Sequence, residues 1–105
     1  MEVKIFDQVV KILQKETEEV RHDLRDMFEK LKQGISLGPP SIKPLTNIHA
    51  NLFEIRVKDK KGQFRVIYFV KKKNAIYILH AFRKKTQQLP QKEKKVILSR
   101  LKEIK

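Results

Sequence analysis

The strongest constraint on the fold is a change of hydrophobic period along the chain. Between residues 6 and 31 apolar side chains recur every three or four positions. Between residues 52 and 82 they fall into three runs rich in β-branched and aromatic residues. The runs are Leu52-Phe53-Glu54-Ile55-Arg56-Val57, Phe64-Arg65-Val66-Ile67-Tyr68-Phe69-Val70 and Ala75-Ile76-Tyr77-Ile78-Leu79-His80-Ala81-Phe82. Polar breaks of turn length, ending in Gly62 and in Asn74, separate them. Strands joined so closely connect most economically as an antiparallel meander.

Helical segments flank this block. Val3-Lys4-Ile5-Phe6 is an alternating start that admits a short strand, after which Phe6, Val9, Val10 and Leu13 mark one face of a short helix. Thr17 before Glu18 and Glu19 reads as an N-cap with acids at the positive helix end. Val20, Leu24, Met27, Phe28 and Leu31 continue as an apolar stripe, and Gly34 supplies a stop. Pro90 can open a final helix with Ile97, Leu101 and Ile104 on one face. The expectation is one α+β domain over residues 1–105. It has an antiparallel sheet of three or four strands, two N-terminal helices on one face and a C-terminal helix.

Charge divides the chain at the same place. The net charge is +13, yet residues 1–31 hold six basic and eight acidic residues, and the remainder holds nineteen basic and four acidic ones. The whole excess lies on the sheet and the last helix, which calls for a polyanionic partner there. No apolar run reaches the roughly 20 residues of a membrane span, and no secretory leader is visible, so a soluble cytoplasmic protein is expected. The absence of cysteine excludes thiolate nucleophiles, disulfides and cysteine metal sites.

Strand register then gathers candidates. With Tyr68 facing Tyr77, Arg65 faces His80; with the first hairpin turning at Lys60-Lys61, Arg56 faces Arg65. Glu54, Arg56, Arg65, His80 and Phe82 then share one face with Ile67, Phe69, Ile76 and Ile78. Phe53, Ile55, Val57, Phe64, Val66, Tyr68 and Leu79 share the other, which covers the helical pair. Adjacent arginines repel unless an anion joins them. With His80 and Lys84-Lys85 nearby, they point to a phosphate site, although Glu54 in a structural ion pair with either arginine is the plainer alternative. Lys58, Lys60, Lys61, Lys71, Lys72 and Lys73 lie at turns, where solvated lysines are ordinary but contacts to RNA phosphates are also available.

The acids narrow the chemistry. A two-metal nuclease needs converging carboxylates, and of the four acids past residue 31 only Glu54 falls within an expected strand. Nucleotide-binding and acyl-transfer motifs are missing. Metal-free RNA cleavage remains open: the 2′-hydroxyl attacks the adjacent phosphate while cations stabilise the phosphorane and a side chain moves protons. Such chemistry spares DNA. His80, Lys84 or Glu54 are candidates for the proton step.

An ordered series of motifs spans most of the chain: Leu37-Gly38-Pro39-Pro40, Ile42-Lys43-Pro44-Leu45, Leu52-Phe53-Glu54-Ile55-Arg56, Phe64-Arg65-Val66-Ile67-Tyr68, Leu79-His80-Ala81-Phe82-Arg83-Lys84-Lys85-Thr86 and Pro90. The series resembles the phage-related HigB-type toxins of the RelE/ParE superfamily. Leu89 stands where that family often has Thr or Ser before the proline. The resemblance implies a RelE-like fold and a type II toxin, neutralised by a small helix-turn-helix antitoxin. It also implies cleavage of mRNA on the 70S ribosome without metal or cofactor. Arg56, Arg65 and Lys84 match active-site positions, with Lys43, His80 and Lys85 as neighbours. On this reading Arg65 and Arg56 take the scissile phosphate, Lys84 stabilises charge or transfers a proton, and His80 is an acid or a support. A ParE-like gyrase poison and a non-catalytic basic RNA-binding module are the competing readings.

Overall fold

The computed structural model describes residues 1–72, 75–85 and 88–104. Its elements run β1 (Glu2–Ile5), α1 (Asp7–Gln14), α2 (Glu18–Lys32), β2 (Ile42–Pro44), β3 (Leu52–Asp59), β4 (Gly62–Lys71), β5 (Ala75–Lys84) and α3 (Gln91–Ile104). The α+β architecture expected from the period change is present, but the sheet has five strands in the order β1-β5-β4-β3-β2 rather than three or four. The alternating start does form β1, parallel to β5 along one edge. β2 escapes sequence reading because it is three residues long and ends in Pro44. At the outer edge of a sheet a proline costs no ladder bond.

Local signals set the helix ends. Thr17 Oγ1 accepts from the Val20 amide at 3.3 Å and also donates to Asp59 Oδ2 at 2.7 Å, so the α2 cap is tied to the β3–β4 hairpin. At the other end Gly34, with φ +78°, donates to Leu31 O, and Ile35 donates to Lys30 O. This Schellman closure needs the left-handed backbone that glycine adopts freely.

The two faces of the sheet carry separate cores. On one, Val9, Val20, Leu24, Phe28 and Leu31 of α1 and α2 pack on Ile55, Val57, Phe64, Val66, Tyr68, Ile76, Ile78 and Ala81. On the other, Ile97 and Leu101 of α3 cover Leu52, Ile67, Phe69, Leu79 and Phe82. The helical pair and α3 therefore lie on opposite faces, and the site described below lies on the α3 face.

The register of the first hairpin is the expected one: Arg56 pairs with Arg65, and Asp59 with Gly62. That of the second differs. Near Lys84, Arg65 pairs with Phe82 and Ile67 with His80. Past a β-bulge at Ile67/Tyr68, Tyr68 pairs with Ile78. The extra residue reverses the side-chain sense of the early part of β5. Ile76 and Ile78 join the α1/α2 core and Leu79 joins the α3 core, the opposite of what strict alternation gives.

Candidate functional site

Glu54 is the centre of the charged end of the α3 face. Its residue exposure is 1%, a burial an ionised carboxylate tolerates only with partners. Three cations supply them. Arg56 Nε and Arg65 Nε each lie 3.3 Å from Oε1, and Lys84 Nζ lies 3.8 Å from Oε2. Lys43, opposite Glu54 in the β2–β3 ladder, adds a fourth positive charge. The paired arginines thus have an internal anion between them, so the ion-pair reading of Glu54 holds for both at once. Three cations still share one carboxylate, which leaves the cluster positive.

The cations differ in what they have left to give. Arg56 is half-open to solvent, and its bond to Glu54 uses only Nε. Arg65 is 6% exposed; Nη2 donates to Gln63 Oε1 and Nη1 to the Phe64 carbonyl at 3.4 Å. Its buried Nε is within ion-pair distance of Glu54 yet lacks the alignment of a hydrogen bond. Burial lowers the Arg65 pKa from its usual value, partly offset by Glu54. Lys84 has 5% side-chain exposure. Its pKa is also lowered, first by burial and then by Arg65, Lys43 and Arg56, while Glu54 acts the other way. A lysine so placed gives up its proton more readily than a free one.

A polar cavity of about 380 Å³ opens over Glu54 and Lys84. Lys43, Asn47, Gln91 and Lys94 stand around it, and Glu54 is the one acid in its lining. Anion binding, charge stabilisation and proton exchange are therefore available on one floor. Among the described residues no group of three or more His, Cys, Asp or Glu is placed to hold a metal ion.

His80 does not join this cluster. It faces Ile67, and its Nε2 lies 2.9 Å from Glu93 Oε1 while Arg100 Nη1 approaches Nδ1 at 3.3 Å. Its ring stacks on Phe82 at 5.3 Å. Burial lowers its pKa, with Glu93 opposing and Arg100 reinforcing. Arg100 also donates to Leu79 O at 2.6 Å, so this group fastens α3 to β5. Tyr68 is core, its hydroxyl pushed up to about 12 by burial.

The turn lysines are spread out. Lys58, Lys60, Lys61, Lys72 and Lys85 are exposed. Lys71 instead donates to Ile104 O at 2.6 Å, capping the end of α3. Lys73 lies outside the described residues.

Sequence reasoning missed Arg83. It alternates with Lys84 along β5 and points to the helical face, where Nη1 and Nη2 reach Asp59 at 2.6 and 2.8 Å and Nη2 reaches Glu16 at 2.6 Å. Its guanidinium lies over the Phe64 ring. Hydrogen bonds from Arg83 and then Thr17 hold the Asp59 carboxyl well below the usual range. The one sequence signal was parity: residue 83 must face away from Lys84, and Asp59 lies on its side of the hairpin.

No curated protein matches the chain. A family model described as phage-derived protein Gp49-like (DUF891) matches residues 11–102, which takes in α2, all the site strands and nearly all of α3. The chain belongs to the phage-derived Gp49-like family.

Proposed function

We propose that this protein is the toxin of a type II toxin–antitoxin pair, with the RelE-like arrangement of HigB-type toxins, and that it cleaves mRNA on the translating ribosome. The Gp49-like family is linked to toxin–antitoxin toxins. The observation that carries the finer reading is the convergence of Arg56, Arg65 and Lys84 on Glu54, which together with Lys84 and Lys43 lines a basic cavity.

In this reading the scissile phosphate enters between the cations and takes over part of what Glu54 holds. The ribose 2′-oxygen bonds to phosphorus and the bond to the 5′-oxygen breaks, leaving a 2′,3′-cyclic phosphate and a 5′-hydroxyl. Arg65 and Arg56 stabilise the charge on the phosphorane oxygens. Lys84 adds charge or exchanges a proton, its lowered pKa making that proton easier to release than a free lysine's. His80 acts as a support, holding α3 over the sheet. The partners are the ribosome with its mRNA and a helix-turn-helix antitoxin, and no cofactor enters the chemistry.

The test uses purified ribosomes programmed with a defined message. Wild-type protein yields new 5′ ends within codons, and a 2′-deoxy nucleotide at the cleaved position prevents them. Arg65→Ala and Lys84→Ala each lower the rate by roughly 10²–10³-fold, the effect of removing one stabilising group at a developing charge. Wild-type rates in both variants overturn the site. Salt-sensitive binding without cleavage favours the RNA-binding module, and DNA breaks in cells favour gyrase poisoning.

A further inference from the structure

Two proline-bearing stretches take no part in the chemistry above, and they meet at the outer edge of the sheet. Leu37, Pro39 and Pro40 from the loop after α2 lie beside Ile42 and Pro44 of β2 and Phe53 of β3. Together they line an open concavity of about 510 Å³. Its walls are apolar, and no acid lines it. Two cations border it: Lys43 and Arg56.

Both cations also belong to the phosphate cluster. Arg56 holds Glu54 through Nε. Lys43 lines the polar cavity as well as this shelf and pairs with Glu54 in the ladder. The apolar surface therefore begins where the phosphate site ends. A ligand that fits both must carry an anion and, one short link away, a flat apolar group without charge. A nucleotide has that chemistry. Proteins hold single-stranded RNA by splaying its bases onto apolar and aromatic side chains and guanidinium planes. Proline suits such a surface because its ring is fixed and loses little freedom on contact.

We propose that this shelf seats the nucleobase adjoining the cleaved phosphate, with Arg56 serving phosphate and base at once. The inference rests on the RNA-cleavage reading and adds a substrate subsite to it. Stacking of one base is commonly worth about tenfold or more in affinity.

The experiment compares programmed ribosomes carrying an intact message with ones carrying an abasic ribose at either nucleotide flanking the cleaved bond. Wild-type protein is expected to cleave the intact message about tenfold faster than one of the abasic messages. Pro44→Glu places a carboxylate on the exposed shelf without touching either core. It is expected to slow cleavage of the intact message about tenfold and to abolish the difference between messages. Equal rates on all messages overturn the inference, as does an abasic effect that persists in Pro44→Glu, since the ribosome rather than the shelf then reads the base. If Pro44→Glu cleaves every message normally but loses its protein partner, the occupant is a peptide and the inference falls. Failure of wild-type protein to cleave the intact message instead overturns the underlying activity.

Discussion

Replacing Glu54 with Gln tests whether this carboxylate is the internal anion of a phosphate site. The substitution keeps side-chain volume and an acceptor oxygen but removes the charge facing Arg56, Arg65 and Lys84 at 3.3, 3.3 and 3.8 Å. Arg56 is 37% exposed on its side chain and is eased by water, so the cost falls on Arg65 and Lys84, at 8% and 5%. Breaking a buried pair by removing one partner costs about 3–5 kcal/mol, and the isosteric change belongs near the lower figure. At about 4–8 °C per kcal/mol for a domain of this size, the melting temperature falls by roughly 12–24 °C. Inorganic phosphate then restores what was lost: at a hundred times its dissociation constant it adds about 2.7 kcal/mol. Wild-type protein gains much less, because there phosphate competes with Glu54. Thermal melts of both proteins in phosphate and in chloride at equal ionic strength decide the matter. A variant that melts within a few degrees of wild type, or equal phosphate shifts in the two proteins, would refute the reasoning.

Two pH effects follow from the buried networks. The Asp59 carboxyl is held low by Arg83 and Thr17, so its contribution is present above the ordinary carboxyl value of about 4 and drains away as pH falls below it. Arg83→Met removes the bidentate bond, and urea melts at pH 3 and pH 7 are expected to show a smaller acid loss in the variant than in wild type. His80 is the analogous case at higher pH. Its pKa is lowered mainly by burial, so the unfolded chain binds the proton more readily and stability falls as pH drops below about 6.5. His80→Gln is expected to flatten urea midpoints between pH 7 and pH 5, and an unchanged slope would show that another group titrates there.

The first hairpin and the arginine row were legible because they depend on local signals. A two-residue turn at Lys60-Lys61, with Asp59 Oδ1 accepting from the Lys61 amide at 3.0 Å, fixes the β3–β4 register, and that register alone sets Arg56 against Arg65. The N-cap at Thr17 and the stop at Gly34 were legible for the same reason. The second bonds of these residues were not. Thr17 also reaches Asp59, forty-two positions away, and Arg83 reaches Glu16 across sixty-seven, contacts that only the packed tertiary structure creates. β2 was invisible because three residues ending in proline carry no periodicity.

β5 shows why an alternation argument fails where two cores compete for one strand. Ile76, Ile78 and Ala81 are buried against the helical pair, and Tyr77, Leu79 and Phe82 pack toward α3. The first set changes from even to odd numbers after Ile78, and the second changes from odd to even after Leu79. No strand of strict period two satisfies both, and the bulge supplies the missing step. The consequence for the site is direct. Continued without the bulge, the Tyr68–Ile78 register would set Ala81 against Arg65, whereas the bulge brings Phe82 there and leaves His80 opposite Ile67, in contact with Glu93 and Arg100. Lys84, beyond the bulge, stays beside Glu54, on the face where sequence register and structural register agree.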